Sequence, residues 1–505
     1  MGIFHTIHEI LTEAANHYGK EDAVRYKVKS DTIESKSYHN LKEDSESFSN
    51  VLGTLGEQGA HIAVTGMTSY EWLAAYFGIV NSRSVAVPLD VSLPADEMCD
   101  QVDRSDATVF VLDDMRADVA AIVKERCPKL KHLIMMKKEK SDQTSLSFWQ
   151  LIEENRGACD ITPKPEDLCT IMFTSGTTGK SKGVMLTHRN MAENATCLDM
   201  KIPPRTVILS VLPIHHAYCL SMDVLKGFSL GSVFCINDSL LRVARNIKLF
   251  RPNMILMVPL MIETFAKKLE DAAALPPEMV KKEVFGEQFH TICSGGAYLN
   301  PEYLDLFAKY GVTILQGYGM TECSPVISTT VSWNIKKGSV GQLIPNCEAK
   351  TVDGELWVRG SSVMSGYYNM PAETSETLKD GWLLTGDLGY VDEEGFVYLT
   401  GRKKNLIITK NGENVSPEEL ENKIGSDRLV QEILVSESEG VIEAAIYPDF
   451  EYARKAEIPD IAAALQQLID DYNKNAPSYK KIYKLSVRDT EFDKTPSKKI
   501  KRYQS

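Results

Sequence analysis

Between about residues 60 and 320 short β-branched runs alternate with helical patterns, and this alternation restricts the fold more than any other feature. HIAVTG, SVAVPL, ATVFVL, TIMFT, VILSVL, SVFCI, MILMV, TICSG and VTILQ read as strands. SLLRVARNIKLF and LMIETFAKKLEDAA read as helices between several of them. Strands joined through helices pair in parallel, because a parallel pair needs a long crossover. An α/β fold follows, with mainly parallel sheets flanked by helices. From about 338 to 400 the strands ELWVRG and FVYLTG lie among Asp-Gly and Gly-rich turns, which predicts a small antiparallel, barrel-like β unit. After Arg402 a smaller α+β domain is expected. In VSPEELE, Ser416 is the expected N-cap, Pro417 the first helical residue and Glu419 the third after the cap.

Charge narrows the function classes. The 505 residues carry 56 Lys+Arg against 69 Asp+Glu, a net charge of −13. A general nucleic-acid binder needs a basic footprint that this chain lacks. The longest stretch free of Asp, Glu, Lys and Arg, Thr206 to Met222, contains His215 and His216 and falls short of the roughly 20 apolar residues of a membrane span. The start of the chain has no basic segment followed by an apolar one, so no secretory signal is expected. Ten scattered cysteines without a CxxC predict reduced thiols and no zinc site.

Several segments carry chemistry. Thr174-Ser175-Gly176-Thr177-Thr178-Gly179-Lys180-Ser181-Lys182-Gly183 lies between two expected strands. Its glycines allow tight turns, while hydroxyls, backbone N–H groups and lysines suit a polyphosphate. It is not a Walker A loop: Thr174 stands where that motif needs glycine, and the segment leads into a strand rather than a helix. Gly317-Tyr318-Gly319-Met320-Thr321-Glu322 offers a ring to stack on a base, a hydroxyl for a phosphate and a carboxylate for Mg2+. Glu322 replaces the last glycine of a dinucleotide fingerprint, so that reading fails. In GWLLTGD, Asp387 can accept hydrogen bonds from two ribose hydroxyls, and Arg402 in TGRKK can donate to the same sugar. A plain surface Asp–Arg pair would be worth little.

Taken together, TSGTTGKSKG, GYGMTE, GWLLTGD, GRKK and KTPSKKIKR occur in an order and spacing that resembles the adenylate-forming superfamily. That superfamily contains acyl-CoA synthetases, peptide-synthetase adenylation domains and firefly-type luciferases. The resemblance covers about residues 10 to 502 and is strongest to a fatty acyl-CoA ligase. It implies an N-terminal adenylation domain over 1–402 and a mobile C-terminal lid over 403–505 with its hinge at Lys404. It also implies that ATP and a carboxylic acid form an acyl-adenylate, and that a thiol then displaces AMP.

The resemblance also assigns roles. Thr174, Ser175, Gly176, Thr177, Thr178, Gly179, Lys180 and Lys182 would grip the β- and γ-phosphates. Gly295, Gly296 and Ala297 would wall the adenine, Tyr318 and Gly319 would carry the stacking face, and Thr321 would meet the α-phosphate. Glu322 would hold Mg2+, Asp387 and Arg402 the ribose, and Lys499 would be the catalytic lysine. Where the family carries glycine before that lysine, this chain has Lys498. His216 would stand beside the acyl site, with Ala217, Leu220, Cys293, Met320, Cys323 and Val326 as pocket candidates. Gly412 and Glu413 would lie on the thiol side. Amino-acid-activating relatives carry an aspartate in the acyl region, whereas HHAYCLSM has no acid before Asp223.

A medium- or long-chain fatty acid with CoA as acceptor is therefore expected. The alternatives are loading of an acyl carrier protein, an aryl or other carboxylate–CoA ligase, and an inactive nucleotide-binding relative. The expected location is cytoplasmic, with peripheral membrane contact open to an enzyme of lipid substrates.

Overall fold

The computed structural model describes residues 2–29, 31–174, 180–409, 413–438, 440–494 and 500–502. The chain divides into two compact units, one of residues 1–349, 358–383 and 394–396, the other of 350–357, 384–393 and 397–505.

Two mainly parallel sheets fill the first unit. In a nine-stranded sheet the strands Val233–Ile236, Val207–Ser210, Met254–Met257, Thr291–Ser294 and Thr313–Gly319 are parallel neighbours. In an eight-stranded sheet His61–Thr65, Val85–Leu89, Ala107–Leu112, His132–Met135 and Leu168–Thr174 are parallel. Every run read as a strand forms one. The strands alternate with helices, as the α/β reading requires, and the antiparallel pairs sit near the sheet edges. Beneath the nine-stranded sheet Phe250, Phe265, Phe285, Phe289 and Phe307 pack as one core, with Phe285 and Phe289 stacked 5.0 Å apart. Ligands of open parallel sheets bind beyond the carboxyl ends of the strands. The segments after Ser210, Ser294 and Gly319 leave the sheet at such ends, and they carry His216, Gly295 and Thr321.

Three expectations are refined. SLLRVARNIKLF is not one α-helix: Leu240–Arg242 is a 3-10 turn and the α-helix is Val243–Phe250. Within 338–400, Gln342–Leu343 and Gly366–Tyr367 pair with strands of the two large sheets. The remaining strands there, Cys347–Val352, Glu355–Gly360, Leu378–Lys379, Trp382–Val391 and Val397–Arg402, form a five-stranded sheet. Ser416 does precede the helix Pro417–Ile424, but its hydroxyl donates to Glu418 at 2.9 Å and makes no cap bond.

The second unit holds a three-stranded sheet of Val430–Ser438, Val441–Pro448 and Lys484–Val487. Leu420, Ile442, Ile446, Leu465 and Ile469 form its core with the helices Pro417–Ile424 and Ile461–Asn475.

Candidate active site

The phosphate-loop candidate is the connection of an antiparallel hairpin. Leu168–Thr174 pairs with Lys182–Thr187, and Thr174 lies opposite Lys182. Ser175, Gly176, Thr177, Thr178 and Gly179 lie outside the described residues. Lys180 is exposed, and the Arg104 guanidinium clamps the returning strand by donating to the Ser181 carbonyl at 2.6 Å. The Lys182 ammonium sits 4.7 Å from the centre of the Tyr367 ring.

The GYGMTE segment ends one strand and turns sharply. Thr313–Gly319 pairs antiparallel with Val326–Thr329, and Thr321–Cys323 forms a 3-10 turn between them. Only glycine fits at 319: a Cβ there would lie 1.9 Å from the Pro325 carbonyl oxygen. The turn brings a half-buried Thr321 beside a buried Glu322, whose Oε1 accepts a hydrogen bond from the Tyr367 hydroxyl at 2.9 Å.

Three residues that sequence reasoning missed hold this turn and the Ser361–Met364 segment beside it. The Asn194 amide donates to the Cys323 and Val326 carbonyls at 3.1 and 2.8 Å and to the Ser362 hydroxyl at 2.8 Å. Its Oδ1 accepts from Val326 N at 3.2 Å. Asn190 donates to the Ser361 and Val363 carbonyls, and Met364 N donates to the Glu322 carbonyl. The third is Tyr367. Buried amides read only as helix positions in the helix His188–Thr196, so composition hid them; their partners lie more than a hundred residues away.

Gly295 leaves the strand Thr291–Ser294 buried, with the Tyr218 ring where a Cβ would stand 3.2 Å away. Gly296 takes φ +86°, a conformation that glycine adopts without strain, and Ala297 is exposed. Tyr318 is buried. On the acyl side Ala217, Leu220, Cys293, Cys323 and Val326 are buried and Met320 half-buried. His216 is exposed, its ring 4.4 Å from that of half-buried His215. Asp223 lies wholly buried in the π-helix Cys219–Lys226, and burial pushes its carboxyl up to about 7. A carboxyl with no exposed surface is not presented to a substrate amine. A surface groove of about 760 Å³ lined by Lys36, Trp149 and Arg156 contains none of the motif residues.

The ribose candidates belong to the second unit. Asp387 and Arg402 face each other across the Trp382–Val391 and Val397–Arg402 strands and form a 2.6 Å ion pair. Asp387 is buried while Arg402 is 44 % exposed. The Gly386 N–H donates to Glu355, which also accepts from Lys403, so the turn before Asp387 is braced. Partial burial and the adjacent Arg402 guanidinium hold the Lys404 ammonium below the ordinary lysine range. Glu413 closes a small turn, its N–H donating to Thr409 Oγ1. Gly412, Lys498 and Lys499 lie outside the described residues.

The residues fit Mg2+. No cluster of three His, Cys, Asp or Glu side chains exists among the described residues. One buried carboxylate, Glu322, is what Mg2+ takes when substrate phosphates supply the remaining oxygens.

Known proteins agree with this architecture. Residues 11–368 match the AMP-binding enzyme family, and 404–505 match the AMP-binding enzyme C-terminal domain. The long-chain-fatty-acid–CoA ligase of Salmonella typhimurium is 27 % identical over 486 residues, covering 85 % of this chain and 82 % of its own. That of Bacillus subtilis is 28 % identical over 478 residues, again 85 % and 82 %. The solved anthranilate CoA ligase AuaEII, in complex with anthranoyl-AMP, superposes with a TM-score of 0.83 at 21 % identity, over 99 % of this chain and 96 % of its own, a likeness of fold. No helix among the described residues is long and apolar enough to cross a membrane. The chain belongs to the AMP-binding enzymes and is an AMP-forming acid–thiol ligase.

Proposed function

We propose that the enzyme activates a medium- or long-chain fatty acid with ATP and passes the acyl group to coenzyme A. The observation that carries the choice of acid is the apolar, buried character of Ala217, Leu220, Cys293, Cys323 and Val326, with Asp223 wholly buried. The fatty-acid ligases among its relatives support the same choice.

In the first half-reaction a carboxylate oxygen attacks the α-phosphorus and pyrophosphate leaves. Negative charge grows on the α-phosphate oxygens. Thr321 donates to them, and Lys499 neutralises them and orients the carboxylate; one such donor is worth roughly 10²–10³ in rate. The loop from Thr174 to Lys182 retains the departing pyrophosphate. Tyr318 and the Gly295–Ala297 backbone hold the base, and Asp387 with Arg402 holds the ribose. Glu322 would hold Mg2+, which when bound offsets charge on the phosphates. His216 stands beside the acyl carboxylate. In the second half-reaction the thiol attacks the acyl carbonyl and AMP leaves, with the segment around Gly412 and Glu413 on the thiol side.

ATP–pyrophosphate exchange with alkanoic, aryl and amino acids tests the acid, and offering CoA or an acyl carrier protein tests the acceptor. Exchange strongest with long alkanoic acids and acylation of CoA are expected. Preference for aryl acids would overturn the choice of substrate. Lys499→Ala is expected to abolish adenylate formation yet spare thioester formation from supplied acyl-adenylate. Equal loss of both half-reactions would remove Lys499 from its role.

A further inference from the structure

Tyr367 stands where the two anionic-ligand elements of the first unit meet. Its hydroxyl donates to Glu322 Oε1 at 2.9 Å, and the Lys182 ammonium lies 4.7 Å from its ring centre. It is buried, at 6 % exposure. The backbone around it is over-determined. Gly366–Tyr367 pairs antiparallel with the Lys182–Thr187 strand, Tyr367 opposite Val184. Tyr367 N donates to Thr374 Oγ1 at 2.9 Å. Gly366 takes φ +138°, and a Cβ there would stand 2.8 Å from Thr374 Cγ2.

We infer that Tyr367 is a positioning residue that couples the metal carboxylate Glu322 to the phosphate-loop lysine Lys182. A carboxylate has two oxygens. The phenol takes one and thereby sets the rotation of the group, so the other presents a fixed lone pair to Mg2+. Groups hydrogen-bonded to a metal ligand commonly change metal affinity 10- to 100-fold when removed. The face of the same ring seats Lys182 by cation–π attraction, an effect of a few-fold at a partly exposed position. One side chain therefore fixes the distance between a cation and an anion that both address the same polyphosphate.

The inference rests on Glu322 being the metal ligand, as proposed above, and the test separates the two ideas. ATP binding without acid substrate is followed by calorimetry across a Mg2+ series and in EDTA. The wild type is compared with Tyr367→Phe, Tyr367→Leu and Glu322→Gln. Tyr367→Phe keeps the ring and loses the hydroxyl, so the Mg2+ concentration for half-maximal tightening is expected to rise about 10-fold. Its binding in EDTA is expected to stay as in wild type. Tyr367→Leu is expected to show the same metal shift and also a roughly 3-fold weaker binding in EDTA, from loss of the lysine's seat. A purely structural tyrosine would weaken binding equally with and without metal, and that result overturns the inference. Glu322→Gln effective with Tyr367→Phe silent also overturns it while leaving the metal ligand in place. Glu322→Gln silent overturns the metal assignment itself, and the inference with it. If Tyr367→Leu fails to fold, the phenylalanine variant decides.

Discussion

The turn that carries Thr321 and Glu322 and the hairpin that carries Asp387 and Arg402 are built in opposite ways. The first is buried and tied down by Asn194 and Tyr367 from other parts of the chain, with Asn190 bracing the neighbouring Ser361–Val363 segment. The second rests on pairing between two adjacent strands and on one brace from Glu355, and ends in an arginine 44 % exposed to solvent. Charge stabilisation needs donors already in place when the reaction occurs, because reorganising them during the reaction raises the barrier. In the role proposed for Arg402, a sugar ligand only has to bind, and an exposed arginine can adjust. The lesson is that the depth of support follows what each group must do.

The sharpest way to break this comparison is at Gly319. A Cβ 1.9 Å from the Pro325 oxygen forces the turn to move. A misplacement of about 1 Å costs on the order of 100-fold, so Gly319→Ala is expected to lose at least about that factor in ATP–pyrophosphate exchange. Near-normal exchange would mean the turn is not held as described.

Asn194→Ala removes an amide that satisfies two carbonyls, one N–H and one hydroxyl. Each unsatisfied buried group costs about 1–3 kcal/mol, so denaturant unfolding of the first unit should show a loss of about 3 kcal/mol.

Asp223→Asn sharpens the comparison from the acyl side. Burial raises this carboxyl from 3.8 to about 7. The folded wild type therefore holds its proton between those values while the unfolded chain releases it. Stability of the wild type should fall as pH rises from about 4 to about 7 and then level off. The asparagine variant lacks that fall, so its advantage should grow steadily across this window. Thermal melting at pH 5 and pH 8 checks the sign; an advantage confined to low pH would refute it.

The smallest effect belongs to the exposed hairpin. Arg402→Ala should lower stability by about 1 kcal/mol, the upper end for surface pairs, because Asp387 is buried. Its effect should appear instead as a weaker apparent ATP affinity in steady-state kinetics. A large stability loss would erase the contrast between the two regions.

Much was legible because it depends on neighbours in sequence. The run MILMV reads as a strand leading into a helix, and Met254–Met257 followed by Pro259–Asp271 is what forms. Gly319 and Glu322 stand out because a tight turn and the metal ligand proposed here each demand few residue types. Ser416 misled, since a serine can bond the next turn's backbone or a nearby carboxylate, and here Glu418 takes it. Tyr367 and Asn194 were invisible as functional residues. Their roles exist only through partners 45 and more than 120 positions away.

Local pattern alone therefore determined the α/β class, the strand and helix inventory and the order of motifs, because hydrophobic period and turn chemistry act over a few residues. The pairing of Gly366–Tyr367 with the Lys182–Thr187 strand, and so the meeting of a phenol, a carboxylate and an ammonium, was decided only by the tertiary structure. Register between distant strands is set by packing of whole faces, a property that no short stretch of the chain contains.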